Sequence, residues 1–288
     1  MSNDRWTTLV TVEELHAALG RAELRLLDAR AVLTDPAAGA AAWAQSHLPG
    51  AVHADLDRDL SDHSVHGQGR HPLPDAAQFA RRLGQWGIAP QHQVVVYDAA
   101  DGSMAAARAW WLLKLLGHEA VAVLDGGLAA WRAAGFRETA QASAPQPEAD
   151  YPVAQFDRSR MLDAEAVLAR LGQAPGWLVD ARGAERFRGE VEPIDPVAGH
   201  VPGAVNRPFA LNLRDGRFRP AQELRGELQA VLRSHDPGEA VLMCGSGVTA
   251  CHLLLAFEHA GLPGPRIYPG SWSGWISDPA RPVARGQA

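Results

Sequence analysis

A chain of 288 residues is longer than a single core usually fills, so two domains are expected, each able to bury a core of its own. Its 47% hydrophobic and 21% charged residues exclude a disordered chain, and no apolar run approaches the roughly 18 residues of a membrane span. The net charge of −6, from 27 basic against 33 acidic residues, argues against a nucleic-acid surface, which needs clustered positive charge.

The opening Met-Ser-Asn-Asp-Arg-Trp has neither the basic region nor the apolar run of a secretory signal, and a cytoplasmic location is the expectation. Lys114 is the only lysine, so cationic work falls to arginine, whose fork suits planar and tetrahedral anions. Two cysteines, Cys244 and Cys251, are too few for a disulfide framework or a cysteine-based zinc site, and fit a reduced compartment with one functional thiol.

In chain order, Thr11 to Leu19 predicts a helix: Thr11 and Glu14 form a capping box, Val12, Leu15, Ala18 and Leu19 share a face, and Gly20 closes it. A strand over 24–29 follows. Then come a helix over 75–86, a strand over 93–98, a helix over 103–116, a strand over 120–124 and a short helix over 128–133. The second half predicts helices over 161–171, 222–233, 248–259 and 271–276, and strands over 177–181, 239–243 and 266–268. Alternating strands and helices imply a parallel sheet with helices on both faces, with sites at the carboxyl ends of strands. The stretch from Glu138 to Pro152 is rich in Ala, Pro and polar residues without periodicity. It reads as a linker over 145–158, between a first domain of 1–144 and a second of 159–288.

The halves repeat one another. Leu27-Asp28-Ala29-Arg30 returns as Val179-Asp180-Ala181-Arg182, and His47-Leu-Pro-Gly-Ala-Val52 as His200-Val-Pro-Gly-Ala-Val205, at offsets of 152 and 153. Val94-Val-Val-Tyr-Asp98 matches Ala240-Val-Leu-Met-Cys244 at an offset of 146, so the drift reflects insertions and deletions within a duplicated domain. Asp98 stands where the first half would carry the cysteine.

Chemistry concentrates at Cys244-Gly-Ser-Gly-Val-Thr249-Ala, where an apolar strand ends at a glycine-rich loop feeding a helix. Backbone N–H groups and the positive end of the helix dipole converge there, which favours a thiolate and marks Cys244 as a low-pKa nucleophile. The competing reading is a buried structural thiol, which suits Cys251 inside the helix better.

Together with Asp-Ala-Arg, His-x-Pro-Gly-Ala, Leu124-Asp-Gly-Gly127 and Tyr268-Pro-Gly-Ser-Trp272 in that order, this loop resembles the two-domain rhodanese family, and within it the enzymes that take sulfur from 3-mercaptopyruvate. The resemblance covers almost the whole chain. It implies two tandem rhodanese-like α/β domains, only the second catalytic. It also implies sulfur transfer through a Cys244 persulfide from a small anionic donor to a thiol or to cyanide, with no cofactor. By the same resemblance, amides of Gly245, Ser246, Gly247, Val248 and Thr249 cradle the persulfide and donor, and Ser246 and Thr249 add hydroxyls. Arg186 matches the arginine that binds the donor's anionic group, and Asp57 and His71 match an acid and a histidine that assist the cysteine in a triad formed across the two domains.

One position departs from that pattern. Mercaptopyruvate enzymes carry a second arginine nine residues after the first, where this chain has Asp195. An acid there resembles the thiosulfate-using branch, so thiosulfate is the alternative donor, and Arg182 or Arg188 is a candidate source of the missing charge. A non-catalytic persulfide carrier is a third reading, since only one half has kept a cysteine.

His53, His63, His66 and His71 cluster in sequence, yet their spacings of 10, 3 and 5 match no common metal motif, and no metal is expected. His47 and His200 recur in both halves, as do the Asp28/Arg30 and Asp180/Arg182 pairs, which favours structural roles. The tryptophans read as core anchors. A cysteine phosphatase is excluded because the sixth residue after Cys244 is Ala250, where that chemistry needs arginine. An aryl phosphate is accordingly expected to survive incubation with the protein, and turnover that disappeared in Cys244→Ala would overturn the exclusion.

Overall fold

The β-branched runs become strands because they are buried on both sides, as parallel sheets require: β4 (Gln93–Tyr97) is buried in all but its first residue and β5 (Val121–Leu124) throughout. The computed structural model describes residues 5–141, 147–152 and 155–287. Of the linker expected over 145–158, residues 145, 146, 153 and 154 lie outside the described residues. The chain gathers into two units, one of Met1–Asp62 with Leu73–Asp157, the other of His63–Pro72 with Arg158–Ala288. The segment His63–Pro72, placed within the first domain by the sequence reading, thus belongs to the second unit.

The first unit contains β1 (Leu9–Val10), α1 (Val12–Ala18), β2 (Leu24–Asp28), α2 (Ala38–Gln45), β3 (Ala51–His53), α3 (Ala76–Gln85), β4, α4 (Ala106–Leu115), β5 and α5 (Gly127–Ala133). Its sheet runs β1-β5-β4-β2-β3, all parallel. Val12 and Leu15 of α1 and Leu128 and Trp131 of α5 pack with Leu26, Val95, Tyr97, Ala122 and Leu124 on one face. Strand side chains alternate, so Val94, Val96, Val121 and Val123 point to the other face, where α4 packs against β4 and β5. The capping box forms as expected, with Glu14 N–H donating to Thr11 Oγ1 at 3.2 Å and Thr11 N–H to Glu14 Oε2 at 2.9 Å.

The second unit contains α6 (Ala164–Leu168), β6 (Leu178–Asp180), α7 (Ala184–Arg188), β7 (Val205–Asn206), the hairpin β8 (Leu213–Arg214) and β9 (Arg217–Phe218), α8 (Ala221–Leu232), β10 (Val241–Met243), α9 (Thr249–His259), β11 (Arg266–Ile267) and α10 (Ser271–Trp275). Its parallel sheet runs β11-β10-β6-β7, the order of β5-β4-β2-β3 in the first unit. A parallel bridge from Met161 to Ile267 stands where β1 pairs with β5. One fold is therefore built twice. In each unit the chain reverses its winding between β2 and β4 or between β6 and β10, and such a switch point opens a crevice at the carboxyl ends of the strands.

The expected elements are present within a few residues, with one shortened and several added. The helix expected over 161–171 is a 3₁₀ turn at Arg158–Arg160 followed by α6, because the Asp163 carboxylate accepts the Ala166 amide at 2.8 Å and starts the helix there. The helices α2 and α7 and the strands β1, β3, β7, β8 and β9 were not expected. Among the described residues no helix is long and apolar enough to cross a membrane.

Asp98 is the first residue beyond β4, as Cys244 is beyond β10, and its buried carboxylate accepts amides of Ala100, Gly102 and Met104 at 3.2, 2.9 and 3.3 Å. Burial, opposed by those amides, pushes its pKa from 3.8 up to about 6. Because the folded state holds this proton more tightly, the group's contribution to stability is full below about pH 4 and is lost as pH rises through about 6, a loss of about 3 kcal/mol. Urea unfolding of wild type and Asp98→Asn from pH 4 to 7 should show wild type losing about that much relative to the variant. Parallel pH curves for the two proteins would refute the assignment.

Candidate active site

Cys244 is the first residue beyond β10, and the chain around it is fixed by its backbone. The Cys244 carbonyl accepts the Trp272 amide at 3.0 Å and the Gly245 carbonyl accepts the Ser273 amide at 2.9 Å, so the first turn of α10 takes the loop's carbonyls. The Cys244 amide donates to Ser271 Oγ at 3.0 Å, and Ser271 Oγ donates to the Tyr268 carbonyl at 3.0 Å. With the carbonyls turned away, the Gly247 amide donates to Cys244 Sγ at 3.2 Å, beside the N-terminus of α9. Gly247 has φ +78°, and a Cβ there would collide with the Pro269 carbonyl oxygen, so this turn requires glycine.

The rest of the expected loop is in place. Gly245 and Ser246 are buried, Val248 is buried at the N-cap of α9, and Thr249 opens that helix half-buried. Cys251 is fully buried and donates its S–H to the Gly247 carbonyl at 3.2 Å, which makes it a core residue supporting the turn.

His71 is buried in the second unit with Nδ1 2.8 Å from Ser246 Oγ, so it meets the loop through that hydroxyl. Asp57 belongs to the first unit, half-buried in a turn where its amide donates to Asp55 Oδ1 at 3.0 Å. Of the clustered histidines, His53 lies in the first unit with Nε2 3.7 Å from Asp55, whereas the His63 ring stands 6.2 Å from that of His71 in the second.

Arg186 projects from α7, a helix of five residues closed by Gly189 in the left-handed region. Its Nη2 donates to Glu192 Oε1 at 2.7 Å and Asp195 Oδ2 at 3.2 Å, and its Nε to Glu192 Oε1 at 3.2 Å. Its Nη1 is turned toward Gly245, 3.6 Å from where a Cβ would stand. Burial works against the Glu192 charge, but Arg186 and the amides of Ile194 and Asp195 outweigh it and hold its carboxyl below the usual range.

The candidates for extra charge resolve differently. Arg182 forms a buried ion pair with Asp180 at 2.7 Å, donates to the Gly199 carbonyl at 2.8 Å and lies 4.8 Å above the Trp272 ring. Burial opposes its charge, and Asp180, Glu192 and Cys244 overcome that and hold the guanidinium above the usual arginine range. Arg188 is paired with Glu190 at 2.7 Å instead. The cation that does face the loop is Arg70: Nη1 is bonded to Asp195 Oδ1, and Nη2 lies 3.0 Å from the Cβ position of Gly245.

Sequence reasoning missed Arg70 and Ser271. The Arg70 partner Asp195 is 125 residues away and carries no local signal. Ser271 has φ +52°, a left-handed conformation that costs a non-glycine residue roughly 1 kcal/mol, and its hydroxyl satisfies the Cys244 amide. The repeated pairs are structural, as expected: Arg30 bonds Asp28 at 2.6 Å just as Arg182 bonds Asp180. The imidazoles of His47 and His200 likewise bond the Trp43 and Phe187 carbonyls at 2.7 and 2.8 Å.

Two copies of the Rhodanese-like domain are recognised, over residues 11–134 and 163–278. A twice-built parallel sheet with a cysteine just beyond β10 in its second copy agrees with that match, and the chain belongs to the rhodanese family. It is 52% identical over 281 residues to the "Probable 3-mercaptopyruvate sulfurtransferase" of Pseudomonas aeruginosa, covering 96% of this chain and 98% of that one. It is also 33% identical over 268 residues to the thiosulfate sulfurtransferase of Gallus gallus, covering 92% and 90%. The 3-mercaptopyruvate sulfurtransferase structure from Leishmania major matches with a TM-score of 0.80 at 32% identity, over 93% of this chain and 73% of that one. This chain is a sulfurtransferase.

Ser271→Ala removes the acceptor of a buried amide while leaving the left-handed backbone in place. Urea unfolding should show a loss of roughly 1–3 kcal/mol. A variant as stable as wild type would mean that the hydroxyl does not satisfy Cys244.

Proposed function

We propose that the enzyme is a 3-mercaptopyruvate sulfurtransferase working through a persulfide on Cys244. The observation that carries this is the Cys244 sulfur held at a strand end by the Gly247 amide, two residues before Ser246, whose Oγ lies 2.8 Å from His71 Nδ1. The Cys244 thiolate attacks the donor sulfur, a Cys244 S–S bond forms, and the donor's C–S bond breaks with its electron pair left on carbon. The resulting enolate takes a proton from the Ser246–His71 pair and leaves as pyruvate. The persulfide, its outer proton released, then passes that outer sulfur to cyanide, giving thiocyanate, or to a thiolate, giving a new persulfide. Either transfer returns the Cys244 thiolate.

Charge supports a singly charged donor. Arg70, Arg182 and Arg186 are balanced by Asp180, Glu192 and Asp195, so the frame around Gly245 is neutral before the thiolate is counted. A dianion such as thiosulfate meets about twice the repulsion from that thiolate that a carboxylate monoanion does. Arginine forks also match a planar carboxylate.

Cys244→Ser is expected to cut thiocyanate formation roughly a thousandfold or more, and intact mass should show one added sulfur atom on wild type after donor treatment and none on the variant. With cyanide as acceptor, kcat/KM for mercaptopyruvate should exceed that for thiosulfate by about tenfold or more. A preference for thiosulfate would reverse the donor assignment, and no turnover of either donor would leave a persulfide carrier. Asp57→Asn tests the role implied by resemblance for that acid, which requires a lower kcat with mercaptopyruvate.

A further inference from the structure

The segment His63–Pro72 is pinned to the second unit at successive points. Ser277 Oγ donates to the Gly67 carbonyl at 3.1 Å, the Arg70 amide donates to Ser273 Oγ at 3.0 Å, and His71 Nδ1 lies 2.8 Å from Ser246 Oγ. Gly69, at φ +92°, sits where a Cβ would stand 2.6 Å from the Gly270 carbonyl oxygen, so the strap lies directly on that backbone. These anchors fix the stem of Arg70. Asp195 fixes its head, accepting Arg70 Nη1 at one carboxylate oxygen and Arg186 Nη2 at the other.

Both guanidinium groups therefore border the space over Gly245, next to the nucleophile. Arg70 Nη2 is 3.0 Å, and Arg186 Nη1 and Nη2 are 3.6 and 3.7 Å, from the Cβ position that glycine leaves empty. Their side chains keep 30% and 21% of their surface open, so a solute can reach them. Two forks on separate segments, spaced by one carboxylate, can hold the two oxygens of one planar anion.

We propose that Arg70 is a donor-binding residue. With Arg186 it grips the anionic group of the sulfur donor, and Asp195 is a positioning residue that spaces the two cations and offsets one charge. This rests on the persulfide reading of Cys244. The segment His63–Pro72 thereby supplies both His71 and the second cation, and Asp195 sets how much negative charge the donor carries.

Two variants of the full chain separate binding from scaffolding. Arg70→Met is expected to raise KM for both mercaptopyruvate and thiosulfate about tenfold or more, and to weaken competitive inhibition by pyruvate in parallel. Asp195→Asn removes a competing carboxylate and should lower KM for thiosulfate. If Arg70 only anchored Asp195, both variants would break the same pair and shift KM in the same direction, and that result would overturn the proposal. Should Arg70→Met prove unstable in urea, Arg70→Lys decides: the charge without the fork is expected to give an intermediate KM, and a wild-type KM overturns the assignment. Wild type that forms no Cys244 persulfide with either donor would sink the proposed function itself. A persulfide formed normally with a KM within twofold of wild type in Arg70→Met would sink the Arg70 assignment alone.

Discussion

Both halves depend on a buried carboxylate–guanidinium pair at the carboxyl end of the sheet. Asp28 and Asp180 end the strands at which winding reverses, and each binds an arginine two residues on through Nε and Nη2. The same arginines reach the Ser46 and Gly199 carbonyls at 2.6 and 2.8 Å, tying the strand to the loop before the next one. Desolvating two charges is costly, and geometry this complete is what recovers the cost. Removing one partner would leave a bare charge in the core of the switch point. In the second unit the pair does more, because Arg182 also lies within reach of Glu192 and over Trp272, so the field at Cys244 begins with it.

On that frame the loops beyond β4 and β10 each accept whatever acceptor atom the sequence places there. In the first unit it is the Asp98 carboxylate, which takes three amides of its own loop. In the second unit it is the Cys244 sulfur, which takes the Gly247 amide. The duplication thus contains its own comparison: one copy closes the loop on an internal carboxylate, and the other holds a thiol at the same point. The difference lies in one side chain and in two glycines: Gly247 lets the turn pass the Pro269 carbonyl, and Gly245 leaves the space that Arg70 and Arg186 border.

Much of this was legible in the sequence, for reasons that are local. A thiol at the end of an apolar strand, a glycine turn and a helix start are adjacent in the chain, so Cys244 and Gly245 to Thr249 could be read together. Repeated pairs two residues apart exposed the duplication. What escaped was either too short for periodicity, such as α7 with five residues, or made by distance. Ser271 meets Cys244 across 27 residues, and Arg70 meets Asp195 across 125. Nothing near Arg70 in sequence says that residues 63–72 pack with the second unit. That placement comes from the close backbone approach at Gly69, a tertiary constraint.

Asp195 shows how such a constraint changes the meaning of a residue. In sequence it is an acid where a cation is expected, and so a lost binding group. In the structure it is the shared acceptor of two guanidinium groups that would otherwise repel one another at short range. An acid at that point therefore gathers positive charge beside Cys244 instead of removing it, and the cation arrives from another part of the chain. Sitting between the two arginines, the acid also offsets part of the positive field they bring to Gly245. Charge at a site is a property of the assembled set, and a single substitution read alone gives the wrong sign.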